Sequence, residues 1–190
     1  MIIIVESGST KADWILLDGQ GHEVNRWSIM GFNPYFHSAQ IVEQELSAHP
    51  EIPGIAANVS QIWFYGAGCS SDALNDIIKT GLTRVFPNAC VNVDHDLKAA
   101  AYATFDGVPH VACILGTGSN SCYFDGENIR EEVPALAYVL GDEGSASFIL
   151  HSRTRTMHDH HQETQKSSKT LLKTMAVVFI VAVVIAALIR

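Results

Sequence analysis

Two short turns combine glycine with hydroxyl side chains, which is a combination suited to binding phosphate groups. The first is Ser-Gly-Ser-Thr at residues 7–10, and the second is Gly-Thr-Gly-Ser at residues 116–119. Each turn follows an apolar run and precedes another. Glycine lets a ligand approach the backbone, while N–H groups and hydroxyls donate to phosphate oxygens. Taken singly, each turn is an ordinary β-turn; taken as a pair, they predict two hairpins that hold a triphosphate from both sides.

Acidic residues supply the second kind of chemistry. Asp96 stands at the start of a predicted helix, directly after a predicted strand. A carboxylate there suits a general base for a sugar hydroxyl in phosphoryl transfer, and a helix N-cap is the alternative. Residues 141–145 (Gly-Asp-Glu-Gly-Ser) form an acidic loop that suits sugar hydroxyls or water-mediated Mg²⁺ binding, with a solvated turn as the alternative.

Other site classes find no support in the sequence. No Gly-x-x-x-x-Gly-Lys-Ser/Thr motif is present, and the glycine pairs at 66/68 and 116/118 lack the third glycine of a dinucleotide fingerprint. The histidines at 158, 160 and 161 are predicted to be solvated rather than metal-binding. No C-x-x-C motif occurs, and we predict reduced, buried thiols for the four cysteines, Cys69, Cys90, Cys113 and Cys122.

Composition predicts a folded domain with a differently charged tail. The 190 residues are 47% hydrophobic, which is enough for a packed core, and the net charge of -8 argues against a nucleic-acid partner. Residues 1–149 hold 18 acidic and 6 basic side chains, whereas residues 150–190 hold 2 acidic and 6 basic ones. This asymmetry indicates two segments with different roles.

The turns and the acidic residues are placed on a predicted α/β architecture. An antiparallel meander of three strands opens the chain, at residues 1–5, 13–17 and 22–29. Helices and strands then alternate, which defines the α/β class. The predicted helices cover about 38–49, 71–82 and 97–105; the predicted strands cover 61–65, 89–93, 110–115 and 121–124.

The last forty residues have a different pattern. Residues 151–173 are polar without an apolar period and are predicted to be a linker, and residues 174–190 form an apolar tail. The 15 apolar residues 175–189 correspond to roughly 22 Å of helix, shorter than a hydrocarbon core of about 30 Å, so a membrane helix is one of two interpretations and a merely apolar end is the other. Lysines at 166, 169 and 173 would keep the folded part in the cytoplasm. The first six residues lack the basic leader and cleavage site of a signal peptide.

Six motifs in this order carry a resemblance to a known family. They occupy residues 6–14, 31–34, 64–69, 96–101, 114–121 and 140–145. Together they resemble the BadF/BadG/BcrA/BcrD-type ATPases, and more narrowly their N-acetylglucosamine kinase branch, within the actin-like, hexokinase-like and Hsp70-like ATPase superfamily. The resemblance covers residues 1 to about 150 and implies a ribonuclease H-like (actin-like ATPase) fold.

The resemblance also implies roles for particular residues. Those in the two ATP phosphate hairpins are Ser9, Thr10, Lys11, Gly116, Thr117 and Gly118. Those that contact the amino sugar are Asn33, Asp96, Ser119, Asn120 and Asp142. Asp96 matches the catalytic base, and Glu6 stands near the Mg²⁺ ion and its waters. The implied reaction is ATP-dependent phosphorylation of N-acetylglucosamine at its 6-hydroxyl, with ATP and Mg²⁺ required, in a cytoplasmic and commonly homodimeric protein.

The implied domains are a ribonuclease H-like kinase domain at 1–109 and the opening hairpin and acidic loop of a second domain at 110–150. The family's second domain continues with an adenosine pocket that has no counterpart in residues 151–190, and Ala137 replaces a glycine of the family pattern. Three interpretations follow. The chain is a sugar kinase, an inactive truncated product of a kinase gene, or a membrane-tethered module that binds sugar or regulates.

Overall fold

The computed structural model describes residues 1–131, 142 and 144–150, and the chain divides into two compact units, Met1–Ala99 and Ala100–Arg190. Four sequence predictions lie outside the described residues: the linker at 151–173, the apolar tail at 174–190, the three histidines in that linker, and Ala137. Within the described part of the chain, no helix has the length and apolar character needed to cross a membrane.

Unit 1 is built on a five-stranded sheet with the order β3-β2-β1-β4-β5. The strands are β1 Ile2–Ser7, β2 Lys11–Leu17, β3 Glu23–Met30, β4 Gln61–Gly66 and β5 Cys90–His95. β2 runs antiparallel to β1 and to β3, while β4 runs parallel to β1 and to β5. The predicted opening meander is confirmed, and the parallel half of the sheet follows from the alternating helices and strands.

The strands of unit 1 are connected by α1 Ala39–Ala48, α2 Ile52–Ile55, a 3-10 turn at Ala56–Asn58 and α3 Asp72–Val85. A fourth helix, α4 Asp96–Thr104, follows β5 and extends past the unit boundary at Ala99. Ser38 and Ser71 cap α1 and α3, because the Oγ atom of each accepts a hydrogen bond from the backbone three residues on. The short helices at 52–58 were not predicted, since the apolar pattern there is too brief to show a period.

The core of unit 1 is a cluster of buried apolar side chains from the sheet, α1 and α3. Trp14 on β2 lies opposite Trp27 on β3, with ring centroids 6.1 Å apart, and also stacks on Phe86 at 6.4 Å. Phe64 and Leu82 are fully buried in the same cluster. Burial of each such side chain contributes about 1.5–3 kcal/mol, which holds the strands that carry the polar turns.

Unit 2 contains a three-stranded antiparallel sheet. Its strands are β6 His110–Leu115, β7 Ser119–Phe124 and β8 Ile129–Arg130. Phe124 is fully buried and contacts the rings of Tyr102, Phe105 and His110 at centroid distances of 5.5, 5.2 and 5.9 Å. A helical segment at residues 146–150 ends the described part of this unit.

The prediction of buried cysteines is wrong for two of the four. All four are free thiols; Cys69 and Cys122 are buried, whereas Cys90 and Cys113 are exposed. Cys90 begins β5, which is an edge strand of the five-stranded sheet. Cys113 lies on the same exposed face of β6 as Val111, because side chains alternate across a strand.

Candidate functional site

Three parallel strands of unit 1 end at the same edge of the sheet, and the predicted unit-1 site residues lie at that edge. Glu6, Tyr65 and Asp94 are aligned across β1, β4 and β5, one residue before each strand ends. Asp96 follows as the first residue of α4. Ligands of open α/β sheets bind beyond the carboxyl ends of the strands, so this edge is where a substrate is expected.

The β1–β2 hairpin presents at this edge two backbone N–H groups that have no partner among the described residues. The Gly8 N–H donates to the Lys11 carbonyl oxygen at 2.9 Å, which leaves Ser9 and Thr10 at the tip. Both tip residues are exposed, and no hydrogen bond among the described residues uses either of their backbone N–H groups. Two N–H groups and two hydroxyls at one tip are suited to phosphate oxygens.

The predicted phosphate residue Lys11 makes a contact that the sequence did not indicate. Its Nζ lies 2.7 Å from Oδ1 of Asp13, two residues along β2 on the same face. Asp13 is almost fully buried and also accepts a hydrogen bond from Ser28 Oγ. The Lys11 ammonium is therefore held by a protein carboxylate beside the hairpin.

The loop at residues 31–33 holds the β1–β2 hairpin in place through hydrogen bonds and one close backbone contact. The Oγ of the fully buried Ser7 accepts a hydrogen bond from Phe32 N at 2.8 Å. Asn33 Nδ2 donates to Ser9 Oγ at 3.1 Å. At Gly31 a Cβ atom would lie 2.0 Å from the Gly8 carbonyl oxygen, so only glycine permits this approach. Asn33 and Ser9, predicted to bind sugar and phosphate respectively, are thus brought into direct contact.

Glu6 lies among other carboxylates. It is paired with Asp13 across the β1–β2 ladder. Burial raises the pKa of Glu6 to about 7, with the negative charges of Asp96 and then Asp13 adding to the rise, while Lys11 opposes it. The structure therefore brings the predicted metal-site residue and the predicted base into one electrostatic cluster.

Asp96 is held in a defined orientation. Its Oδ1 accepts a hydrogen bond from Leu97 N at 2.8 Å and lies 3.1 Å from Nδ1 of His95. The side chains of Asp96 and His95 are 17% and 20% exposed, so both are reachable by a ligand. His95 was not singled out in the sequence, because a lone histidine at a strand end carries no spacing signal.

The cluster fits a Mg²⁺ ion bound through few protein ligands. Within residues 1–131, 142 and 144–150, no group of three or more His, Cys, Asp or Glu side chains forms a metal site. Mg²⁺ commonly uses one or two carboxylates, waters and substrate phosphates. The crowded negative charge that raises the Glu6 pKa is the kind that a divalent cation relieves.

The buried Cys69 thiol stays protonated beside this cluster. Burial raises its pKa to about 12, helped by the negative charges of Asp96 and Asp94. A thiol in that state is neither a nucleophile nor a metal ligand at neutral pH.

The predicted site residues of unit 2 gather around the β6–β7 turn. Asp142 has a positive φ of 64°, and its Oδ1 accepts a hydrogen bond from Ser119 N at 3.1 Å. A Cβ atom on Gly118 would lie 3.3 Å from Asp142 Oδ2, so these residues adjoin. Asn120 follows on β7, where its Oδ1 accepts from Ser121 N at 2.8 Å.

The turn itself is held by the helical segment that follows Asp142. Ala146 N and Ser147 N donate to the carbonyl oxygens of Gly116 and Thr117, at 2.9 and 3.3 Å. The Gly116 N–H donates to the Gly118 carbonyl oxygen, and no hydrogen bond among the described residues uses the Thr117 or Gly118 N–H. Like the tip at Ser9 and Thr10, this turn therefore presents two backbone donors.

Comparisons with known proteins agree with this architecture. No family model matches the chain. The structure of a candidate N-acetylglucosamine kinase from Porphyromonas gingivalis is 33% identical, with a TM-score of 0.72 over 93% of this chain. The chain spans 62% of the length of that structure. Its α/β fold is thus the one found in sugar kinases of the actin-like ATPase group.

Two further sugar-kinase structures are more distant. A ROK family glucokinase from Streptomyces griseus, in complex with glucose and AMPPNP, is 16% identical and matches 71% of this chain and 48% of its own, with a TM-score of 0.45. A candidate N-acetylmannosamine kinase from Listeria monocytogenes is also 16% identical, matching 72% of this chain and 51% of its own, with a TM-score of 0.43. At these scores neither likeness bears on the site.

Proposed function

We propose that this chain carries the phosphate-binding and sugar-binding machinery of an ATP-dependent sugar kinase that acts on the 6-hydroxyl of N-acetylglucosamine. The carrying observation is the carboxyl edge of unit 1, where Glu6 and Asp96 interact and the tip at Ser9 and Thr10 offers free donors. The 33% identity to a candidate N-acetylglucosamine kinase supports the choice of sugar.

In the proposed reaction Asp96 accepts the proton of the sugar 6-hydroxyl. The hydroxyl oxygen forms a bond to the γ-phosphorus of ATP, and the bond from that phosphorus to the bridging oxygen breaks, leaving its electron pair on ADP. The contacts from Leu97 N and His95 fix the Asp96 carboxylate, so the base is positioned before the substrate arrives.

Mg²⁺ bound with ATP would neutralise charge on the phosphates. Glu6 would hold this ion through its waters. Burial, together with the negative charge of Asp96, keeps the Glu6 carboxyl group partly protonated at neutral pH in the free chain, so occupation of the site should release a proton.

Each turn is proposed to bind phosphate oxygens through its own backbone N–H groups: those of Ser9 and Thr10 in unit 1, and those of Thr117 and Gly118 in unit 2. Lys11 and Gly116 belong to the same turns. The sugar-contacting residues are proposed to be Asn33, Ser119, Asn120 and Asp142, together with Asp96.

The proposal includes membership of the BadF/BadG/BcrA/BcrD-type ATPases, a cytoplasmic location and a homodimer. The alternative function is a module that binds sugar without turnover, with residues 174–190 as its membrane anchor.

The test is ADP release from the full chain with Mg²⁺, ATP and one sugar at a time from N-acetylglucosamine, N-acetylmannosamine, glucosamine and glucose. We expect N-acetylglucosamine to give the fastest release, and phosphorus NMR of the product to show a 6-phosphate. Calorimetric sugar binding without sugar-dependent ADP release would contradict the kinase and support the binding module. Absence of both would contradict both functions.

A further inference from the structure

Two aromatic side chains of the loop after β3 lie unusually open to solvent. Tyr35 is 64% exposed and Phe36 is 74% exposed, the highest values for aromatic residues in the described part of the chain. Covering a ring of this size contributes about 1.5–3 kcal/mol, so leaving two in water forgoes that stabilisation. Exposed aromatic rings beside polar groups are a feature of ligand sites.

The backbone under these rings is fixed. The N–H groups of Phe36 and His37 both donate to the Asn33 carbonyl oxygen at 2.9 Å. Tyr35 N donates to Asn33 Oδ1 at 3.0 Å, and Asn33 N donates to His37 Nδ1 at 3.1 Å. Because Tyr35, Phe36 and His37 are each hydrogen-bonded to Asn33, the Tyr35 ring is attached to a rigid support.

The Tyr35 ring adjoins the polar edge of unit 1. Gly68, in the loop after β4, has a φ of +81°, and a Cβ atom there would lie 2.5 Å from Asn33 Oδ1 and 3.1 Å from Tyr35 Cδ2. One edge of the ring therefore lies beside Gly68 and the Asn33 amide, whose Nδ2 donates to Ser9 at the hairpin tip. The rest of the ring is open to solvent.

We propose that Tyr35 is a sugar-recognition residue, whose exposed ring packs against the C–H face of the hexose that Asn33 contacts. This inference rests on the proposed function. A pyranose ring carries hydroxyls at its rim and C–H groups on its faces, so polar side chains fix the rim while an aromatic ring covers a face. Tyr35 thereby contributes sugar affinity without taking part in proton or phosphoryl transfer.

The test compares Tyr35→Ser and Tyr35→Phe with the matched control Phe36→Ser. Phe36 is the neighbouring ring and is more exposed than Tyr35. We expect Tyr35→Ser to raise the KM and the calorimetric Kd for N-acetylglucosamine at least about tenfold, with kcat and the KM for ATP within about twofold of wild type. Tyr35→Phe and Phe36→Ser should both keep a sugar Kd within about twofold of wild type.

Wild-type sugar affinity in Tyr35→Ser, or an equal loss of affinity in Phe36→Ser, would overturn this inference. The proposed function would still stand if the wild-type chain showed sugar-dependent ADP release. A wild-type chain that neither binds nor phosphorylates any hexose would overturn both. Circular dichroism and thermal melting, expected to match wild type because Tyr35 is exposed, verify that each variant is folded.

Discussion

At the scale of single residues, the proposed chemistry depends on how Glu6 is placed. It lies at the end of β1, opposite Asp13 and within the field of Asp96. Burial and these two charges raise its pKa to about 7. A buried carboxyl group near other negative charges destabilises the folded chain when it ionises. Sites that bind a cation or carry out a reaction commonly bear this cost, because they bring like charges together.

This cost predicts a pH-dependent stability in metal-free buffer. The folded-state pKa of Glu6 is raised from 4.5 to about 7, so the folded chain binds more protons than the unfolded one between these values. Stability from this group is complete below pH 4.5 and is lost as the pH rises through 7, by up to about 3 kcal/mol. Glu6→Gln should remove this slope and be more stable than wild type at pH 8, as measured by urea unfolding.

The control is Glu23→Gln. Hydrogen bonding to Arg26 lowers the pKa of Glu23, so its proton is already lost below this window. The stability of the Glu23→Gln variant should therefore fall with rising pH in parallel with that of wild type. If the Glu6→Gln curve also ran parallel to wild type between pH 4.5 and 7.5, the charged cluster around Glu6 would be disproved.

At the scale of elements, the hairpin and the loop at 31–33 act as one support. Ser7, Phe32, Asn33 and Ser9 are linked by hydrogen bonds between the two segments. The close approach of Gly31 to the Gly8 carbonyl oxygen makes this junction intolerant of any side chain. The position of the hairpin tip at Ser9 and Thr10 therefore depends on a residue outside the hairpin.

Gly31→Ala tests this dependence. The added Cβ would meet backbone atoms of Gly8 and Lys11 at 2.0 and 2.8 Å, which forces the two segments apart. We expect a loss of at least about 2 kcal/mol in unfolding free energy and a raised KM for ATP. Gly19→Ala, where nothing lies within 4 Å, should leave both quantities near wild type. Equal behaviour of the two variants would contradict the proposed support.

The sequence predicted the elements better than the contacts between them. The meander, the helices at about 38–49 and 71–82, and the strand at 110–115 follow from apolar periods, which depend on neighbours in the chain. The pairing of Glu6 with Asp13 follows from β-strand register, and the Lys11–Asp13 contact from side-chain placement, neither of which has a sequence period. The exposure of Cys113 depends on which face of β6 is covered, and hydrophobicity alone does not show this.

For the candidate site residues too, the sequence predicted local patterns but not the contacts between distant segments. The two turns were found because glycine and hydroxyl residues between apolar runs form a local pattern, and each proved to carry two N–H groups unused by the described residues. The contact of Asn33 with Ser9 and the place of Gly68 beside Tyr35 join segments far apart in sequence. Such contacts depend on the tertiary fold, so only the structure shows them.

At the scale of the whole molecule, the chain consists of two compact units. The main buried cluster lies entirely in unit 1, and Phe124 is the buried centre of the aromatic group in unit 2. All three tryptophans, at 14, 27 and 63, belong to unit 1. Tryptophan fluorescence therefore reports the unfolding of unit 1, while far-UV circular dichroism reports both units.

Core truncations should separate the two signals. Leu82→Ala removes a fully buried side chain of unit 1 and should lower the fluorescence-detected unfolding free energy by about 2–5 kcal/mol. Phe124→Ala should shift the circular dichroism transition while the fluorescence midpoint stays at the wild-type denaturant concentration. A fluorescence midpoint displaced equally by both variants would show that the units unfold as one.

The most direct test of the kinase proposal is the rate of N-acetylglucosamine-dependent ADP release by the wild-type chain, Asp96→Asn and Asp94→Asn. Asp94 is a nearby carboxylate that is ion-paired with Lys98, so it controls for a change of charge at the strand end. The account predicts sugar-dependent release by wild type, a loss of about 10²-fold or more in kcat for Asp96→Asn, and less than about threefold for Asp94→Asn. A near-wild-type rate in Asp96→Asn would contradict its role as the base, and no sugar-dependent release by the wild type would contradict the kinase itself.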